Sequence, residues 1–273
     1  MQSIVSFQWL YENLNKPGII ILDTTLVNQR AKQPESIKKL QITNARYFDI
    51  KQKFSDSSNE FPSALPPTEQ FENECQLLGI NTNSTIIVYD ANGIYSCARV
   101  WWLFKTFGHT NVSVLNGGLP NWKNHDLPTE ELKLNTKYSK GNFKAKLNSI
   151  LVRKFKDVFN NLKTKQELVI DVRSSDRFNC LVPEPKEGLR KGTIPNSINI
   201  PYTDVLKNGK FKSKKELTPI FRSLLNEKRS IVFSCGSGIT ACIVLLAAQQ
   251  VIENNLAVYD GSWTEWGSLV KKQ

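Results

Sequence analysis

The chain has 273 residues, 40% of them hydrophobic and 22% charged, and a formal net charge of +11 at pH 7. That length suits two domains of ordinary size, and the composition excludes a disordered, collagen-like or disulfide-stapled chain. The positive charge is scattered lysine, densest around 133–156 and 207–215, without a nucleic-acid-binding signature. It reads as a solvated surface able to attract small anions, and no nucleic-acid partner is expected.

No apolar stretch reaches the roughly 18 residues that a membrane span needs, and the N-terminus lacks the basic and apolar regions of a signal peptide. Neither a membrane partner nor export is expected. The five cysteines, Cys75, Cys97, Cys180, Cys235 and Cys242, include no CxxC pair, so neither a disulfide framework nor a zinc site is implied, and a reducing, cytoplasmic setting is expected. His109 and His125 have no metal-ligand spacing and read as surface or turn residues. No metal or cofactor is expected.

In chain order, Phe7–Leu14 has helical spacing and stops at Lys16-Pro17-Gly18. Ile19-Ile20-Ile21-Leu22 is continuous and β-branched, as buried parallel strands are. A helix is predicted from about Thr68 to Leu78, closed by Gly79. The strand Thr85–Asp90 and the helix Cys97–Phe104 follow, then Val112–Leu115 and Asn116-Gly117-Gly118-Leu119-Pro120. Residues 126–146 are polar, lysine-rich and aperiodic, which predicts a linker.

After this stretch the order repeats. A helix is predicted over Arg153–Leu162, and the strand Leu168–Arg173 matches Ile19–Asp23. Asn196–Pro201 answers Asn44–Ile50, Ser230–Cys235 answers Ser84–Asp90, and Ala257–Trp266 answers Val112–Trp122. The expected fold is α/β: two tandem copies, each a mostly parallel central sheet with helices on both faces. The predicted division is 1–125, a linker over 126–146, and 147–273.

The copies differ at one loop. The first carries Asp90-Ala91-Asn92-Gly93, and the second carries Cys235-Gly236-Ser237-Gly238-Ile239-Thr240 between a strand and a long apolar helix. Inward-pointing backbone N–H groups and the positive helix end behind them favour an anion at Cys235. Gly236 and Gly238 permit close backbone approach, while Ser237 and Thr240 offer hydroxyl donors. This is the setting of a nucleophilic thiolate, against the plainer reading of a buried structural cysteine. A cysteine-dependent phosphatase is disfavoured, because Ala241 stands where an anion-closing Arg would be needed.

The stretch Cys235–Ala241 resembles the active-site loop of the two-domain rhodanese family, in its 3-mercaptopyruvate sulfurtransferase branch. Tyr259–Trp266, Gly192–Ser197, Val100-Trp101-Trp102 and Asn116–Pro120 extend the resemblance over essentially the whole chain. It implies two rhodanese-like domains, only the second catalytic. It also implies a Cys235 persulfide that carries sulfane sulfur from 3-mercaptopyruvate, with release of pyruvate, to thioredoxin, another thiol or cyanide. The thiosulfate-specific branch has Arg-Lys after the cysteine; Gly236-Ser237 here favours a monocarboxylate. Thiosulfate sulfurtransfer and a non-catalytic sulfur-carrier scaffold stay as alternatives.

By resemblance, Arg177 and Lys186 bind the substrate carboxylate, together with the loop residues Gly236, Gly238, Ile239 and Thr240. Lys186 replaces the family's Arg and lacks its bidentate fork. The family's proton-handling set maps to Asp56 and Ser237, with Ser63 where a histidine is usual. Cys180, between Arg177 and Lys186, reads as a bystander or as a redox partner of Cys235.

Overall fold

The computed structural model describes residues 2–271. These form two compact units: 2–56, 65–148 and 208–211 in the first, and 57–64, 149–207 and 212–271 in the second. Each is built on a five-stranded sheet with every strand parallel to its neighbours.

In the first unit the strand order is Ile4–Val5, Val112–Leu115, Thr85–Tyr89, Ile19–Asp23, Arg46–Tyr47. The central strands are apolar on both sides because helices cover both faces. Ile21, Ile87 and Tyr89 pack with Leu10, Leu119 and Trp122 from the helices Phe7–Asn13 and Gly118–Lys123. The alternate residues Ile20, Leu22, Ile86 and Val88 are equally buried and point the other way. On that side, Phe71 of the helix Thr68–Leu77 meets Phe104 of the helix Cys97–Thr106 edge to face, with centroids 5.3 Å apart.

Residues 126–146, predicted as a linker, are part of this unit, which continues to Asn148. Thr129–Glu131 pairs antiparallel with Leu40–Ile42, and Phe143 is fully buried. Gly141 donates to the carbonyl of Gln76 at 2.8 Å and Phe143 to that of Ile80 at 3.1 Å. A Cβ on Gly141 would fall 2.0 Å from the Ile80 carbonyl oxygen. Backbone hydrogen bonds hold this segment, so it needs no periodic apolar pattern.

His109, read from sequence as a surface or turn residue, is buried against Phe104 and Phe143, with ring centroids 5.8 and 5.6 Å away. Burial is the main cause holding its imidazole pKa below the ordinary value, with Lys105 adding to the shift. A group whose folded pKa lies below its unfolded value of about 6.5 binds protons more readily unfolded, so its contribution is intact above that pH and lost as pH falls below it. Wild type should therefore lose more thermal stability between about pH 7.5 and about pH 5.5 than His109→Phe, as melting curves at the two pH values would read.

In the second unit the order is Ile198–Asn199, Glu167–Asp171, Ser230–Ser234, Leu256–Tyr259, Val152–Arg153. Val169, Val232 and Tyr259 pack with Val158, Trp263 and Trp266, from the helices Phe155–Thr164 and Ser262–Leu269. The wholly buried helix Ala241–Ala248 packs against the strands Ser230–Ser234 and Leu256–Tyr259. Arg153, predicted to open a helix, lies instead in an edge strand and pairs with Glu167 at 2.6 Å. The helix starts at Phe155 because the Asp157 carboxylate accepts the Lys154 N–H at 2.8 Å, capping it there.

Two guanidinium groups lie over the Trp263 ring, Arg173 at 4.6 Å and Arg190 at 4.7 Å from its centroid. Gly192 makes this possible: its φ is +151°, and a Cβ there would sit 2.6 Å from the Trp263 ring and 2.5 Å from Arg190. Gly192→Ala should destabilise the protein by about 2–4 kcal/mol through backbone strain and overpacking. A lower urea midpoint at an unchanged m-value would register it.

The strand registers of the two sheets correspond. Asp23 lies opposite Tyr89 in the first sheet and Asp171 opposite Ser234 in the second. The residues that follow, Asp90 and Cys235, occupy equivalent positions.

Candidate active site

Cys235 leaves the end of the strand Ser230–Ser234 and is buried. Its Sγ accepts the Gly238 N–H at 3.1 Å. Gly238 turns the chain at φ +79°, which aims that N–H back at the sulfur. The helix Ala241–Ala248 begins just beyond the loop, with the positive end of its dipole toward it.

The loop is clamped from the neighbouring strand. Ser262, at φ +51°, accepts the Cys235 N–H at 3.1 Å, donates to the Tyr259 carbonyl at 2.9 Å and lies 3.8 Å from Sγ. Trp263 donates its N–H to the Cys235 carbonyl at 3.0 Å. Thr264 donates its N–H and hydroxyl to the Gly236 carbonyl at 2.9 and 2.6 Å. The first turn of the helix Ser262–Leu269 therefore holds both peptides on either side of the nucleophile position. Sequence reasoning assigned no role to Ser262 or Thr264. The signal was there: the Asp260-Gly261-Ser262-Trp263 run follows the strand paired with the cysteine-bearing one.

Gly236 is half-buried, and a Cβ on it would lie 3.1 Å from Nη2 of Arg177. The guanidinium thus packs over the loop backbone where a side chain would otherwise sit. Arg177, in the short helix Ser175–Phe178, is ion-paired to Glu184 through Nη2 and reaches it through Nε at 3.4 Å. Lys186 is exposed and, among the described residues, has no ion-pair partner. The structure thus brings Arg177 to the Cys235 loop.

Ser237 is half-buried, Ile239 buried, and Thr240 forms the N-cap of the following helix without a side-chain capping bond. Among the described residues, neither the Ser237 nor the Thr240 hydroxyl bonds to the sulfur. Asp56 belongs to the first unit and is half-buried. Ser63 belongs to the second, where it is buried at φ +65°. Cys180 is exposed at φ +61°. Burial pushes the thiols of Cys75 and Cys97 well up, away from reactivity. Among the described residues no His, Cys, Asp or Glu cluster has the arrangement of a metal site.

The equivalent loop of the first unit is closed on itself. The buried Asp90 carboxylate accepts the Asn92 N–H at 2.8 Å, the Ser96 N–H at 2.9 Å and the Ser96 hydroxyl. Burial raises its pKa, while these donors pull the other way. A fixed side-chain carboxyl group occupies the position of the thiol, and the thiol of nearby Cys97 is pushed up by burial.

Residues 6–125 and 154–269 each match the rhodanese-like domain. The chain belongs to the rhodanese family. As a two-domain rhodanese it is 37% identical over 269 residues to the 3-mercaptopyruvate sulfurtransferase of Escherichia coli (strain K12), covering 97% of this chain and 94% of that one. It is 34% identical over 275 residues to the Homo sapiens 3-mercaptopyruvate sulfurtransferase, with 97% and 92% covered. Its structure is similar to the crystal structure of SseA from Escherichia coli, with a TM-score of 0.84, 35% identity, and 96% and 99% of the two chains covered.

Proposed function

We propose that this rhodanese is a 3-mercaptopyruvate sulfurtransferase with Cys235 as its nucleophile. The observation that carries the reading is the Gly238 N–H directed at Cys235 Sγ at 3.1 Å, in a loop otherwise free of charged side chains. The Cys235 thiolate attacks the sulfur of 3-mercaptopyruvate. An S–S bond forms, the substrate C–S bond breaks, and its electron pair leaves on carbon as the pyruvate enolate, which takes up a proton. The loop N–H groups stabilise first the thiolate and then the persulfide anion. In the second half-reaction an acceptor thiolate, or cyanide, attacks the outer sulfur and Cys235 departs as thiolate.

Arg177 supplies the fork for the substrate carboxylate, with Lys186 as a point charge, and Ser237 assists proton movement. The backbone of Gly236 and Gly238, with Ile239 and Thr240, shapes the cradle. The acceptor is a small thiol or a thioredoxin-type protein thiol. A cytoplasmic setting suits five cysteines of which none is in a disulfide among the described residues; likewise among them, no helix is long and apolar enough to cross a membrane. Thiosulfate is the second substrate to test, but the neutral Gly236-Ser237 pair offers a dianion no cation of its own. Steady-state assay of pyruvate and sulfane-sulfur release is expected to give parallel-line, ping-pong kinetics with 3-mercaptopyruvate and a much lower kcat/KM with thiosulfate. The opposite preference would reassign the substrate.

A further inference from the structure

A line of alternating buried charge runs from the central sheet of the second unit to the Cys235 loop. Asp171, the last residue of the strand Glu167–Asp171, pairs with Arg173 at 2.6 Å. Arg173 also reaches the Glu184 carboxylate at 2.8 Å, and Glu184 pairs in turn with Arg177. Side-chain exposure is 0% for Arg173 and 1% for Asp171 and for Glu184, and rises to 22% only at Arg177. The first three members are therefore fixed, and the last is the one able to meet a ligand.

Arg173 is anchored further by stacking on the ring of Trp263, whose backbone N–H donates to the Cys235 carbonyl. Glu184 thus takes its position from the same tryptophan that positions the nucleophile loop. The Glu184 carboxylate engages Arg177 through Nε and Nη2, which leaves the Nη1 edge uncommitted. Nη1 lies 3.8 Å from the Cβ position of Gly236. A guanidinium has five donors in a rigid plane, so tethering one edge sets the direction of the other.

We infer that Glu184 is a positioning residue for substrate binding: it holds the Arg177 fork over the Cys235 loop in the orientation that a 2-oxo acid carboxylate requires. The inference rests on the reading of Arg177 as the carboxylate clamp. Glu184 touches neither substrate nor sulfur, and acts by keeping Arg177 from swinging into solvent. The line of four charges sums to zero, so Arg177 is screened locally, and its orientation matters more than its bare charge.

The test is steady-state kinetics with 3-mercaptopyruvate on the full chain for Glu184→Gln, Glu184→Asp, Arg177→Ala and the Glu184→Gln/Arg177→Ala double variant, with iodoacetamide labelling of Cys235 and urea midpoints in parallel. Glu184→Gln should raise KM about tenfold while kcat changes by less than about threefold, the split expected when binding geometry alone is lost. Glu184→Asp, which keeps the charge, should recover part of the KM. The double variant should show no greater KM than Arg177→Ala, because both changes remove one interaction. Labelling rates should match wild type. A normal KM in Glu184→Gln beside a raised one in Arg177→Ala would overturn the role of Glu184 alone. A normal KM in Arg177→Ala would overturn the clamp itself, and the role of Glu184 with it. If Glu184→Gln does not fold, Glu184→Asp decides: a KM equal to that of wild type would overturn the inference.

Discussion

Replacing Cys235 with serine should lower sulfur transfer from 3-mercaptopyruvate by about a thousandfold or more while leaving the fold intact, since the substrate sulfur then meets no polarisable anion. A serine hydroxyl is un-ionised at neutral pH, and no nearby base is placed on its oxygen by the loop. The cradle itself survives: Gly238 N–H, Ser262 and the helix Ala241–Ala248 contact the position through backbone and hydroxyl groups that tolerate oxygen in place of sulfur. Substrate affinity should therefore persist in the variant, detectable as protection of Cys180 or as a thermal shift on adding 3-mercaptopyruvate. Loss of both turnover and binding would point to a collapsed loop, and retained turnover would dismiss Cys235 as nucleophile.

The second large effect is on substrate choice. Gly236→Arg should lower the ratio of kcat/KM for 3-mercaptopyruvate to that for thiosulfate by about a hundredfold. Two causes add. Any Cβ at residue 236 lies 3.1 Å from Arg177 Nη2, a tight contact that Arg177 relieves by giving a few tenths of an ångström beside Glu184. The new guanidinium also repels that of Arg177 and places a cation next to the sulfur, which suits a small dianion better than the carboxylate of a longer 2-oxo acid. Gly236→Ala separates the two, since it carries only the steric term: KM for 3-mercaptopyruvate should rise without any gain for thiosulfate. An unchanged ratio in Gly236→Arg would mean that the loop charge does not select the substrate.

Much of this architecture can be read from the chain itself. Both sheets follow from short β-branched runs, Ile19–Leu22 and Leu168–Val172 among them, and the equivalence of Asp90 with Cys235 follows from repeat order and is reproduced by the strand registers. What the sequence hides is of two kinds. Segments held by backbone hydrogen bonds, such as 126–148, have no periodicity to betray them, and so look like linkers. Side chains that act through another residue are equally silent: Glu184 lies in a Pro-rich loop and Ser262 opens a helix, and only the fold carries them to Arg177 and Cys235. The burial of His109 is hidden for a related reason: a residue just after a helix-ending glycine reads as exposed, and only the fold brings Phe143 against it.

If Cys235 carries the sulfur, the protein itself holds it between the two half-reactions. The most direct measurement is mass spectrometry of the intact protein and its proteolytic peptides after one equivalent of 3-mercaptopyruvate, without acceptor, followed by addition of cyanide. A gain equal to one sulfur atom is expected, located on the peptide containing Cys235, released as thiocyanate when cyanide is added and absent from Cys235→Ser. Sulfur found on Cys180 with Cys235 unmodified, or pyruvate released with no sulfur retained on the protein, would contradict it.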